Sequence, residues 1–241
     1  MLVFLDIETT GLESTDKICS IGIVVIDAEK EYSKYELVNE SKKISPKASS
    51  VNHITDEMIQ NKPKLIDTTI YEFLNKHNNI NTTIIGHNIA FDMQKLSAIG
   101  FKFEGSIIDT LRVSRHLMPE CESYALQVLR YDLKLYRQEK QEAVICGIDG
   151  DVVSHNALCD ALIVKLLYDY LLDIISSNEM YELSFKNVLL QKFEFGKYAG
   201  RYIEEICASD RGYLNWMLSS IVDLDADLRY SINYYINSQG F

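Results

Sequence analysis

Nothing in this 241-residue chain approaches the run of about 18 apolar residues that a membrane-spanning helix needs, which excludes an integral helical membrane protein. No basic cluster precedes the first apolar segment, which begins at Leu2. A secretory leader is therefore not expected, and the sequence reads as cytoplasmic. The five cysteines (Cys19, Cys121, Cys146, Cys159, Cys207) lack CxxC spacing. That argues against a zinc site or disulfide framework and for reduced, buried thiols. Positive charge is also scarce: 24 lysines and arginines face 35 acidic residues, a net charge of −11. That balance argues against a protein that coats nucleic acid tightly and non-specifically through a basic surface. No internal repeat is present, so a solenoid is excluded too. What remains, 47% hydrophobic and 24% charged residues, is ordinary globular composition. The length allows one large domain, or a large one with a small companion.

Residues 2–7 are apolar on both faces, as in a central strand. Residues 18–26 are β-rich and residues 32–38 suit a third strand, together a meander. Residues 46–55 read as a loop, with Thr55 as the N-cap of a short helix. Short strands are predicted at residues 83–86 and 106–108. Helical patterns cover residues 68–77, 91–99 (closed by Gly100), 109–117 and 124–130. The longest, 156–175, carries Leu158, Leu162, Leu166 and Tyr170 on one stripe. Strands alternating with helices define an α/β domain. The polar stretch Ser176-Ser-Asn-Glu179 reads as its end. The predicted organisation is a main domain over 1–177, a linker over 178–189 and a module over 190–241, too small to be expected to fold alone.

Chemistry concentrates at three places. Asp6 and Glu8 lie two apart at the end of the first strand, just before Thr9-Thr-Gly-Leu12, and so project to one face. Two carboxylates at a buried strand end repel each other, and a divalent cation removes that cost. The pair alone reads equally well as a solvated acidic edge. The second place is Ile84-Ile-Gly-His-Asn-Ile-Ala-Phe-Asp92, a strand and turn delivering an acid to a helix start. The third is Ser154-His-Asn-Ala-Leu-Cys-Asp160, which opens the longest helix. In isolation His155 reads as a helix-entry histidine bonded to backbone.

The order and spacing of these four acids and one histidine resemble the DnaQ-like 3′–5′ exonucleases of the DEDD superfamily. His155 stands five residues before Asp160, the pattern of the histidine type (DEDDh). The tyrosine type would place Tyr where Asn156 stands. The likeness covers residues 1 to about 177. It implies a ribonuclease-H-like fold, a mixed five-stranded sheet flanked by helices. It also implies phosphodiester hydrolysis with two Mg²⁺ ions, Mn²⁺ substituting, held by Asp6, Glu8, Asp92 and Asp160. In such sites the ions activate water and neutralise charge on the leaving oxygen. His155 would act as general base, since an unperturbed imidazole titrates near roughly 6.5. Thr9, Thr10, Gly11 and Leu12 would cradle the 3′-terminal nucleotide, while Asn88 and Phe91 would shape its pocket. One departure is visible. Many relatives carry histidine after the aliphatic residue of the loop at 51–55, where this chain has Asn52, with His53 shifted by one.

Phe195-Gly-Lys-Tyr-Ala-Gly-Arg201 followed by Asp210-Arg-Gly-Tyr-Leu-Asn-Trp-Met217 is similar to the C-terminal module of the exodeoxyribonuclease X family. That module pairs an FGKYxGK/R turn with a GYLxW helix. Residues 186–201 hold four cations and one anion. Lys197 and Arg201 are therefore expected to contact phosphate; the alternative is a solvated face. Tyr198 and Trp216 are expected to be at least partly structural; the alternative is that Phe195, Tyr198, Tyr202 and Trp216 all pack the small module together. The implied substrate is a DNA 3′ end, released as nucleoside 5′-monophosphates in repair. The open alternatives are an RNA 3′ end, or a polymerase III proofreading (epsilon-like) subunit, with a protein partner bound through the module.

Overall fold

A computed structural model describes residues 1–28 and 30–238. Strands β1 (Leu2–Thr9), β2 (Ile18–Asp27) and β3 (Lys30–Leu37) form the antiparallel meander. Strands β4 (Thr83–Gly86) and β5 (Ser106–Asp109) continue the sheet in parallel with β1. The order is β3-β2-β1-β4-β5, the mixed five-stranded sheet that was expected. β1 lies at its centre, which is why its sequence is apolar on both faces.

Helices α1 (Pro46–Asn52), α2 (Asp56–Ile59), α3 (Thr69–Lys76) and α4 (Ile89–Ser97) precede β5. Then come α5 (Thr110–Leu117), α6 (Leu126–Asp132), α7 (Glu139–Ile145), α8 (Ala157–Leu172) and α9 (Ser177–Phe185). Val3, Leu5 and Ile7 pack with Ile21, Ile23 and Val25 against Ile70, Phe73 and Leu74 of α3 and Leu96 of α4. The opposite face of β1, carrying Phe4, lies under α8; the Phe4 and Tyr168 rings meet edge-on at 5.4 Å. No helix among the described residues is long and apolar enough to cross a membrane.

Three expectations are corrected. The segment read as a loop at 46–55 begins with α1. Ser45 accepts a hydrogen bond from the Ala48 amide, and Pro46 presets the first helical φ. Thr55 is the N-cap of α2, as expected, although its side chain makes no capping bond to the helix backbone. The polar stretch at 176–179 is a helix start rather than a break. Ser176 N donates to the Glu179 carboxylate at 2.8 Å, and Glu179 N donates to Ser176 Oγ at 3.3 Å, a reciprocal capping box. Helix α9 therefore occupies most of the segment read as a linker.

The chain divides into two compact units. The first comprises Met1–Leu111 and Ser123–Ser184; the second comprises Arg112–Glu122 and the chain from Phe185 onward. The second unit holds α10 (Ile203–Ser209), α11 (Arg211–Ser220) and α12 (Ala226–Ser238). Its core gathers Phe193, Ile203, Ile206, Leu214, Met217, Leu228 and Ile232. Arg112 reaches Asp227 of α12 in a two-pronged ion pair at 2.8 and 3.1 Å, and Asp227 is only 4% exposed. That pair binds the 112–122 segment into this unit. Tyr198 and Tyr213 pack against the core, while Phe195, Tyr202 and Trp216 remain exposed. Of the two aromatics expected to be partly structural, Tyr198 packs against the core, and Trp216 meets the Tyr213 ring at 5.7 Å while half of it stays exposed.

Candidate active site

Asp6 and Glu8 follow Phe4 on the face of β1 that looks toward α8, opposite Gly22 and Ser20 of β2. Gly22 lets the first turn of α8 lie directly on the sheet. A Cβ there would fall 2.3 Å from Leu158 N and 2.4 Å from the Ala157 carbonyl carbon. This close approach brings Asp160, one turn into α8, beside the β1 pair. A register shift between Glu8 and Thr9 re-aims the strand end. Asp92 arrives from α4, and its Oδ1 accepts the Ile7 amide at 3.1 Å.

Two left-handed residues shape the entries of the acid-bearing helices. Asn88, with φ 62°, donates its amide to Asp109 at 2.9 Å before α4. His155, with φ 57°, donates its amide to Asp160 Oδ2 at 3.0 Å before α8. Such conformations are uncommon outside glycine and cluster at functional sites. Asn156 then caps α8, accepting from Leu158 N and Cys159 N. Ligand atoms of His155, Glu8 and Asp160 all lie within 4.8 Å of one another. The His155 side chain is exposed and Asp160 is buried.

All four acids hold their protons more tightly than usual. Burial pushes Asp6 well above the carboxylate range, and Asp92, Asp160 and Glu8 add repulsion. Burial raises Glu8 to about 8, with further repulsion from Asp160. Asp92 is raised by burial, with Asp109 and Glu8 adding to it. Asp160 is raised to about 7 by burial, against the opposing pull of the His155 amide, Arg130 and Gln127. Four hard oxygen donors that cannot all ionise together fit a divalent cation, which would supply the missing positive charge. A second group, Glu31, Glu142 and Cys146, also falls within ligand distance. There the Lys165 ammonium already fills the space, 2.5 Å from Glu142 and 3.4 Å from Glu31.

The turn expected to cradle the terminal nucleotide is rigidly tied. Thr9 Oγ1 donates to Gly11 O at 2.7 Å, and Thr10 Oγ1 to Asp16 at 3.1 Å. A Cβ at Gly11 would collide with the Asp16 carboxylate, and Leu12 projects outward, 79% exposed. Phe91 packs partly against the main core. Lys197 and Arg201 lie in the second unit, each exposed and each facing an acid. Lys197 meets Asp210 at 3.0 Å and Arg201 meets Glu205 at 3.4 Å.

Four residues of the site carried no readable chemical signal. Asn52, noted only as a departure, is buried; it donates to Thr9 O at 3.3 Å, and its hydrogen bond to Glu8 favours the ionised carboxylate. His53 instead closes α1, with φ 58°. Lys95 is buried, and its ammonium donates to the carbonyls of Glu13 and Asp16 at 2.7 and 2.9 Å. It therefore pins the turn after Glu8. Gln127 and Arg130 of α6 stand behind Asp160. Only their burial and partners distinguish these side chains, and those come with the fold.

Residues 3–168 match the exonuclease family, and residues 193–221 match the exodeoxyribonuclease X-like C-terminal family. The chain belongs to the exonuclease family. It is 26% identical over 245 residues to exodeoxyribonuclease 10 of Escherichia coli strain K12, spanning 99% of this chain and 100% of that one. The epsilon subunit of DNA polymerase III from Treponema pallidum is 27% identical over 168 residues, 63% of this chain and 76% of its own. The solved structure of exonuclease X in complex with 5′-overhanging duplex DNA aligns with a TM-score of 0.58 at 24% identity, over 76% of this chain and 99% of that one. Escherichia coli exonuclease I in complex with a dT13 oligonucleotide aligns at 0.51 and 18% identity, over 71% and 40%. These likenesses place the five-stranded sheet with the ribonuclease-H-like exonucleases.

Proposed function

We propose that this protein is a metal-dependent 3′–5′ exodeoxyribonuclease that releases nucleoside 5′-monophosphates. The observation that carries the reading is the convergence of Asp6, Glu8, Asp92, Asp160 and His155, drawn from three distant segments, at the end of the central strand. Asp6, Glu8, Asp92 and Asp160 would hold two Mg²⁺ ions, with Mn²⁺ as substitute. When bound, the ions supply the charge that activates water and stabilises the leaving oxygen. His155 takes the proton from the attacking water. Its exposed side chain passes that proton on to solvent. The Thr9–Leu12 turn, fixed by Lys95, receives the terminal nucleotide together with Asn88 and Phe91. Attack at the terminal phosphodiester then breaks the P–O3′ bond and leaves a new 3′-hydroxyl.

Similarity along the whole chain to exodeoxyribonuclease 10, module included, supports DNA over RNA and a free-standing enzyme over a polymerase subunit. Lys197 and Arg201 would exchange their acid partners for backbone phosphate. The test is digestion of end-labelled single-stranded DNA, duplex DNA and RNA side by side with Mg²⁺. Mononucleotide release from DNA 3′ ends is expected. Full activity in excess EDTA, or RNA cut faster than DNA, would overturn the reading.

A further inference from the structure

We propose that Gln127 and Arg130, both on α6, are positioning residues that lock Asp160 and the loop carrying His155 into one geometry. The inference rests on the reading of Asp160 as a metal ligand and His155 as the base. Gln127 Nε2 donates to Asp160 Oδ1 at 2.6 Å, while the His155 amide holds Oδ2 at 3.0 Å. Each carboxylate oxygen thus gives one lone pair inward and keeps another for a cation. With both oxygens held, the carboxylate cannot rotate.

Gln127 is itself held. Its Oε1 accepts from Arg130 Nη1 at 3.1 Å, which turns the amide nitrogen toward Asp160. Arg130 is buried and forks three ways. Nε donates to Glu139 at 2.8 Å, Nη1 to Gln127, and Nη2 to the Val152 carbonyl at 3.1 Å. Val152 lies three residues before His155, in a segment between α7 and α8 without regular structure. The Glu139 pair alone would be an ordinary internal ion pair. The other two prongs lead to the site, one through Gln127 to Asp160 and one through Val152 to His155. One guanidinium therefore sets where the ligand and the base stand relative to each other. Partners behind metal ligands orient them, and their loss costs about 10–100-fold in metal affinity or activity.

The test uses Gln127→Met, which keeps length and volume, and Arg130→Lys, which keeps the charge but cannot span three partners. Asp160→Ala and His155→Ala serve as references. Mn²⁺ affinity is measured by titration calorimetry without DNA. Steady-state kinetics on single-stranded DNA and hydrogen exchange over residues 148–156 complete the set. Gln127→Met is expected to weaken Mn²⁺ binding about 10–100-fold and to lower kcat with KM for DNA unchanged. Arg130→Lys is expected to speed exchange over 148–156 and lower kcat, with a smaller change in Mn²⁺ affinity. Wild-type Mn²⁺ affinity and kcat in folded Gln127→Met overturn the proposal, and that variant decides alone should Arg130→Lys fail to fold. Full activity in Asp160→Ala would instead overturn the reading of the site itself.

Discussion

Replacing Gly22 by alanine is the sharpest test of how the site is assembled. The added methyl would sit 2.3–2.4 Å from backbone atoms of Ala157 and Leu158, where ordinary contact begins near 3.4 Å. Backbone cannot rotate aside as a side chain can, so α8 must retreat from β2 by about 1 Å. Overpacking of this kind costs about 1–3 kcal/mol of stability. The larger effect should be on chemistry. Asp160 moves with α8 while Asp6 and Glu8 stay on β1, and a 1 Å misplacement of reacting groups can cost about 100-fold in rate. Gly100→Ala is the control. Its φ of 95° makes alanine costly, yet nothing lies within 4 Å of the added carbon. Both variants should lower the thermal midpoint, but only Gly22→Ala should weaken Mn²⁺ binding and cut single-turnover rates about 100-fold. If folded Gly22→Ala cleaves at the wild-type rate, or Gly100→Ala is equally impaired, the argument that the glycine sets the acid spacing is wrong.

Other outcomes follow from the same geometry. His155→Ala should keep Mn²⁺ affinity within a few-fold but slow the chemical step by about 10²–10⁴-fold; an unchanged single-turnover rate would make the residue structural. Glu8 is raised from 4.5 to about 8 in the folded protein, so between those values the folded state binds more protons than the unfolded chain. Stability of the metal-free protein should therefore fall as pH rises from 5 to 8, and saturating Mg²⁺ should flatten that slope; a metal-free midpoint that rises over this range would refute it. Asp6→Asn, which removes a repelling charge, should raise the metal-free midpoint at pH 8 while abolishing cleavage, as calorimetry and a nuclease assay would show. Lys197→Ala with Arg201→Ala should weaken DNA binding and flatten its salt dependence without altering the metal requirement, and an unchanged salt slope would leave the module as a scaffold.

Much of the first unit was legible because its signals are local. The apolar β1 ending in Asp6 and Glu8 announced a central strand with chemistry at its tip. The stripe of α8 announced the helix that covers it. The spacing of His155 and Asp160 needed no fold to be noticed. What stayed hidden depends on distant contacts. Asn52 acquires a role only when α1 folds back over Thr9, 43 positions away. Lys95 looks like a surface lysine until its ammonium is found on carbonyls 79 and 82 positions earlier. Helix α1 was masked by serines that read as loop, though Ser45 and Pro46 are a helix start. The stretch at 176–179 failed for the converse reason: capping residues and loop residues are the same residues.

The Arg112–Asp227 pair governs how this protein can be cut. Its partners are 115 positions apart, so the second unit is built from both ends of a long detour. A fragment starting near residue 190 would carry Asp227 without its arginine. Breaking a buried pair by removing one partner costs about 3–5 kcal/mol, comparable with the whole stability of a small domain. Such a fragment should be unfolded when expressed alone. A protease nick near residue 190 should, by contrast, leave two pieces that travel together on a sizing column, joined through the 112–122 segment. On the ribosome the same pair means that α5 waits for this neighbour until the chain has been made as far as Asp227, 115 residues later.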